Sequence, residues 1–175
     1  MNWTNSIIGT ALAVCLAGGA LAQATSTNQV ASKTDWSVFI EDNPTECWGV
    51  STPTEIVNTR DGRVVAATRG QILLMVSYRP SASVAGQVAF TGGYPFRDGS
   101  TVNLAIGGTE FELFTDGEWA WPATPSDDAK IVTAMKRGAQ AVVTGVSSRG
   151  TTTKDTFSLL GFTAAVEDAA ARCGG

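Results

Sequence analysis

The chain has no histidine and only three cysteines in 175 residues. Without histidine, the Ser-His and Cys-His couples of nucleophilic catalysis are excluded, so a general base has to be a carboxylate, a lysine or a tyrosine. Imidazole is also missing from any metal centre, and a few dispersed cysteines make a poor zinc site. Charge is sparse: 12 Lys and Arg stand against 16 Asp and Glu, for a net charge of −4. The basic residues are scattered and form no stripe, which argues against a nucleic-acid partner. No glycine-rich phosphate loop opens a helix, because Gly92-Gly93 and Gly107-Gly108 sit among strand-like residues and read as turns. No cofactor and no metal are expected from this composition.

Long apolar runs are missing too, except at the start. Ile7 to Leu21 carries no charge and is interrupted only by glycine and one threonine. At about 15 residues it is short for a transmembrane helix. It ends in Ala20-Leu21-Ala22, the small-x-small pattern of a signal peptidase site. Residues 1–22 therefore read as a cleaved secretory signal whose positive end is only the terminal amine. A cut after Ala24 is the alternative. Val14 before Cys15 is not the small residue that a lipoprotein signal places there. The mature form is expected to have no transmembrane helix, and its roughly 150 residues suit one ordinary domain. Residues 23–34, QATSTNQVASKT, are polar and read as a disordered leader, which leaves 35–175 as a single domain.

Two cysteines survive cleavage, Cys47 and Cys173, near the two ends of that domain. An even pair in an exported chain reads as a disulfide, with two buried thiols or a metal pair as the rival readings.

The pattern of the domain is that of strands. In Thr101 to Trp121, TVNLAIGGTEFELFTDGEWAW, the residues Val102, Leu104 and Ile106 alternate with small or polar neighbours. Phe111 and Leu113 alternate with Glu110 and Glu112, and Trp119 and Trp121 share a face opposite Ala120. Period two puts such residues on one side of a sheet. Gly107-Gly108 and Asp116-Gly117 suit the two-residue turns of a meander. An apolar sheet face has to be covered by a second layer, so a sandwich or barrel follows. Further strands are expected at 35–40, 46–51, on both sides of Asp61-Gly62, and at 71–78, 87–91, 140–148 and 152–160. One helix is expected after Pro125, capped by Ser126 and opened by Asp127 and Asp128. An alanine-rich helix closes the chain at 162–172.

Candidate chemistry is thin. Glu110 and Glu112 lie about 7 Å apart on one strand face, where alternating solvent-facing acids are a simpler account than a glycosidase pair. Glu41, Asp42 and Glu46 flank Asn43-Pro44 and read as a solvated turn. Trp119 and Trp121 suit either a ligand platform or sandwich core, core being the commoner fate of such a pair. Tyr94 and Phe96 flank Pro95 in a glycine-bearing loop and are candidates for a recognition tip. The candidate binding surface is thus Tyr94, Phe96, Trp119 and Trp121, with no catalytic residue assigned.

The Trp-led first strand DWSVF, the Cys47-Trp48 strand, the GGYPF loop, the FTDGEWAW hairpin, the DDAKIVTAMKRG helix and the closing DTFSLLGFTAAVEDAAARC together resemble the invasion-associated locus B family of exported Gram-negative proteins. The resemblance implies an immunoglobulin-like antiparallel β-sandwich with two short helices, located in the periplasm or at the cell surface. It carries no catalytic residues. The expected function is a non-enzymatic envelope protein that binds an envelope or host protein. A carbohydrate-binding module using the surface aromatics is the alternative, and a carboxylate-dependent envelope hydrolase is a more distant one.

Overall fold

The computed structural model describes residues 26–174. The signal segment read at 1–22, with cleavage after Ala22 or Ala24, lies outside the described residues. Twelve strands and two helices follow in chain order: β1 Gln29–Lys33, β2 Trp36–Asp42, β3 Thr45–Ser51, β4 Glu55–Arg60, β5 Arg63–Val64, β6 Leu73–Arg79, β7 Val84–Thr91, β8 Thr101–Ile106, β9 Thr109–Asp116, β10 Trp119–Trp121, α1 Pro125–Arg137, β11 Gln140–Val146, β12 Thr152–Ser158 and α2 Phe162–Arg172. The strands form one antiparallel array in the order β1-β2-β3-β6-β7-β10-β9-β8-β11-β12-β4-β5.

Alternation folds this array over on itself. Trp36, Val38, Leu74, Val76, Val88 and Phe90 point inward from the first half and are buried. Val102, Leu104, Ala141, Val143 and Phe157 meet them from the second half. The halves touch directly: Phe90 and Phe157 meet edge to face at 6.2 Å, and the Trp36 indole donates to the Ser158 carbonyl at 3.0 Å. The antiparallel β-sandwich with two short helices expected from the sequence is the observed architecture. Its two layers are continuous through the short strand β10.

Helix α2 lies across β2 and β3 and buries Phe162, Ala165, Val166 and Ala169. Gly49 of β3 faces Ala165, so small residues on both surfaces let helix and sheet approach closely. Trp36 packs against Phe162 at 4.8 Å. Just past the helix, Cys173 is joined to Cys47 of β3, closing a loop of 126 positions with the Cα atoms 5.9 Å apart. Gly161 starts the helix at φ 88°, and a Cβ there would lie 1.8 Å from the Lys33 carbonyl oxygen. That is why the FSLxGFT segment needs glycine at this point.

Three expectations are corrected. Residues 29–33 do not belong to a disordered leader. They form β1, paired antiparallel with β2 and touching α2. Its order comes from backbone pairing, which a polar composition does not reveal. Helix α1 is capped by Thr124, whose hydroxyl accepts from the Asp127 amide at 3.2 Å, and Pro125 takes the first helical position, so Ser126 is already inside. The second meander turn is centred on Gly117-Glu118, since Trp119 pairs with Asp116 and only Gly117 has positive φ. Gly107-Gly108 and Asp61-Gly62 are two-residue turns as expected, with positive φ at both positions.

Candidate functional site: an aromatic groove on the outer sheet face

The outward residues of β2, β3, β6, β7 and β10 form a surface that is not covered by either helix. Because Ala120 is fully buried, period two turns Trp119 and Trp121 outward, Trp119 with 36% of its surface exposed. The same rule turns Trp48 outward beside the buried Cys47. Trp48 stands opposite Phe39 of β2, and the two rings stack at 5.6 Å, only 5° from parallel. This pairing holds the Trp48 indole in one orientation.

Between Trp48 and the Trp119–Trp121 pair run β6 and β7, whose outward residues here are small or narrow: Met75, Ser77 and Ala89. Tall walls and a low floor make a groove of about 530 Å³, lined also by Glu46, Arg79 and Gln87. The three strand intervals from β3 to β10 make it about 14 Å across between backbones. Phe39, Val50 and Leu73 carry the apolar surface onward beside Trp48.

The polar end of the groove is incompletely satisfied. Glu46 and Arg79 flank the cross-strand pair Cys47–Tyr78, yet no ion pair joins them among the described residues. Arg79 Nη2 donates to Gln87 Oε1 at 2.5 Å. Its Nε–H is buried and has no partner among the described residues. A buried donor left unpaired costs about 1–3 kcal/mol.

The other two sequence candidates lie elsewhere. Phe96 is 4% exposed and packs on Phe90 and Tyr94 at 6.1 and 5.1 Å. Its loop turns inward because the Phe96 amide donates to the Gly117 carbonyl and the Ser148 amide to that of Pro95, both at 2.9 Å. Phe96 is therefore core and not a recognition tip. Tyr94 is half-buried over Gly92, where a Cβ would come within 2.8 Å of its ring. Its hydroxyl shares a 2.5 Å hydrogen bond with that of Thr153. Burial pushes its pKa up, and the Thr153 hydrogen bond and the Arg69 charge oppose that rise.

Beside Tyr94 lies a polar cluster that sequence reasoning missed. Arg69 holds both oxygens of Asp155, at 2.7 and 2.6 Å, donates to the Gly92 carbonyl at 2.8 Å, and sits 5.0 Å from the Tyr94 ring centre. The two side chains are 5% and 0% exposed. Every charge here is matched inside the protein, so the cluster is a structural clasp between the loop after β5 and β12. Glu110 and Glu112 project from the outer face of β9 and are exposed.

Asp128, read from sequence as helix-start charge, is 8% exposed. Its carboxylate accepts from the Val88 amide at 2.8 Å. Strand β10 ends at Trp121 before Pro122, so α1 supplies the acceptor that β7 next needs. Desolvation raises the Asp128 pKa, the Val88 amide opposing it.

Of the missed groove residues, Trp48 was the most accessible to reasoning. If Cys47 faces inward to meet the closing helix, its neighbour has to face outward. Arg79 gave no such signal.

The family described as "Invasion associated locus B (IalB) protein" matches residues 96–170, from the loop before β8 to near the end of α2. No curated protein gives a significant match. Among solved structures, the crystal structure of invasion associated protein b from Bartonella henselae aligns with TM-score 0.56 at 15% identity, over 83% of this chain and 98% of that one. At that identity the alignment shows a shared fold, and it extends the likeness through strands that precede the matched segment. Over the meander, β11, β12 and α2 this chain is thus similar to the invasion associated locus B family, and it shares the fold of the Bartonella protein.

Proposed function

We propose that this protein is an exported, non-enzymatic binding domain of the cell envelope that docks a macromolecule on its outer aromatic sheet face. The observation that carries the reading is the groove itself: three indoles stand outward on a sheet whose interior is already filled. Contiguous outward apolar surface of this kind marks an interaction site. Tryptophan at its walls suits binding, because a rigid ring loses little entropy when a partner covers it. Export is supported by the signal-like segment at 1–22 and by the Cys47–Cys173 bond, which suits an oxidising compartment. No helix among the described residues is long and apolar enough to cross a membrane. The likeness to invasion-associated proteins supports an envelope or host macromolecule as the partner.

The experiment is capture from envelope extract by the immobilised exported protein, run beside a Trp119→Ala/Trp121→Ala variant. The reading expects material retained by the native protein and lost by the variant at equal thermal stability. Equal retention by both would refute it.

A further inference from the structure

We infer that the groove between Trp48 and the Trp119–Trp121 pair binds an uncharged saccharide chain, an inference that rests on the aromatic face being the docking surface. A sugar ring has two apolar C–H faces and a rim of hydroxyls that both donate and accept. The groove is built in the same two-sided way. Its walls are flat indoles, one of them fixed by the parallel stack on Phe39. The polar lining offers each kind of partner: the Glu46 carboxylate accepts, the Arg79 guanidinium donates, and the Ser77 hydroxyl, whose proton points to the Gln87 carbonyl, accepts. The Gln87 carbonyl oxygen is already engaged by Arg79, which leaves its amide nitrogen free to donate outward.

Charge selects the class of chain. Among the described residues Glu46 and Arg79 are the only ionisable side chains lining the groove, and their charges cancel, which matches an uncharged ligand and disfavours an acidic polysaccharide. The unpartnered Arg79 Nε–H is a donor that a hydroxyl can satisfy after a small swing of the guanidinium. The low floor at Ser77 and Ala89 gives an extended chain room to lie between the indole walls. The same shape could take a proline-rich peptide, which makes that ligand the informative competitor.

The test is a titration of the full exported protein with β-1,4-linked hexasaccharides of glucose and of N-acetylglucosamine, followed by tryptophan emission and by calorimetry. A heparin hexasaccharide and a decaproline peptide serve as comparators. The inference expects saturable binding of at least one neutral hexasaccharide with a shift in indole emission. It expects at least tenfold weaker binding in Trp48→Ala and in Arg79→Met, and loss of binding in Ser77→Trp, which fills the floor and leaves the walls in place. Heparin is expected to give no saturation. No binding of either neutral sugar at millimolar concentration, or tighter binding of heparin or decaproline, would overturn the inference. If the sugars fail while the Trp119→Ala/Trp121→Ala variant still loses capture of envelope material, the docking face stands without the sugar. If that variant also keeps capture, both fall.

Discussion

Two aromatic regions of this molecule exchange the roles that their sequence contexts suggest. The GGYPF loop looks like an exposed tip, yet Phe96 is core and Tyr94 leans on a buried ion pair. The WAW strand looks like core, yet both indoles face outward with Ala120 buried between them. In the first region every buried side-chain polar atom has a partner among the described residues. In the second, rings and a buried guanidinium N–H are left without one. The difference separates a part that holds the fold from a part available for binding, and it can be broken by substitution.

The largest expected effect sets the scale for stability. Cys47→Ser and Cys173→Ser should each lower stability by about 4–5 kcal/mol in the chain-entropy picture. The two losses should be equal, because both break the one bond between β3 and the end of α2. Thermal melting would show this, and unequal shifts would mean that one cysteine has another role. Next comes Asp155→Ala, which strands the Arg69 charge in the interior and should cost about 3–5 kcal/mol. If the Tyr94 region were instead a ligand site with slack in it, denaturant unfolding would show a far smaller loss.

Asp128 gives a smaller and pH-dependent effect. Asp128→Ala should cost about 1–3 kcal/mol by orphaning the Val88 amide, whereas Asp128→Asn keeps an acceptor. Burial raises the Asp128 pKa in the folded state. A raised value means that the neutral form stabilises the fold: the contribution is present at acid pH and is lost as pH rises from the ordinary aspartate range through the raised value. Asp128→Asn should remove that segment of the stability–pH curve. An unchanged curve would show that the carboxyl is solvated. The smallest stability effect belongs to Trp119→Ala, expected within about 1 kcal/mol of native because an exposed side chain away from the core is being truncated. A loss of several kcal/mol would erase the contrast between the two regions.

What the sequence made legible follows the same physics. Alternation located most of the strands, and the Gly-Gly and Asp-Gly dipeptides located two turns correctly, because both signals are local. Alternation also put Trp119 and Trp121 on one face, but a period of two cannot say which face is inside. That depended on β10 joining the two layers, where the interior has room only for Ala120. The Tyr94–Phe96 loop misled because proline and glycine mark a turn without saying that its amides find inward carbonyls. Strand β1 was invisible because backbone pairing orders it, and the Arg69–Asp155 pair because its partners come from distant strands.

The most direct test of the account compares capture of envelope material by two immobilised variants, Trp119→Ala/Trp121→Ala and Tyr94→Phe, each checked to be folded. The account predicts that the tryptophan variant loses the ligand while Tyr94→Phe retains it, with only the Thr153 hydrogen bond given up. Retention by the tryptophan variant together with loss by Tyr94→Phe would contradict it and move the binding site to the Tyr94 loop.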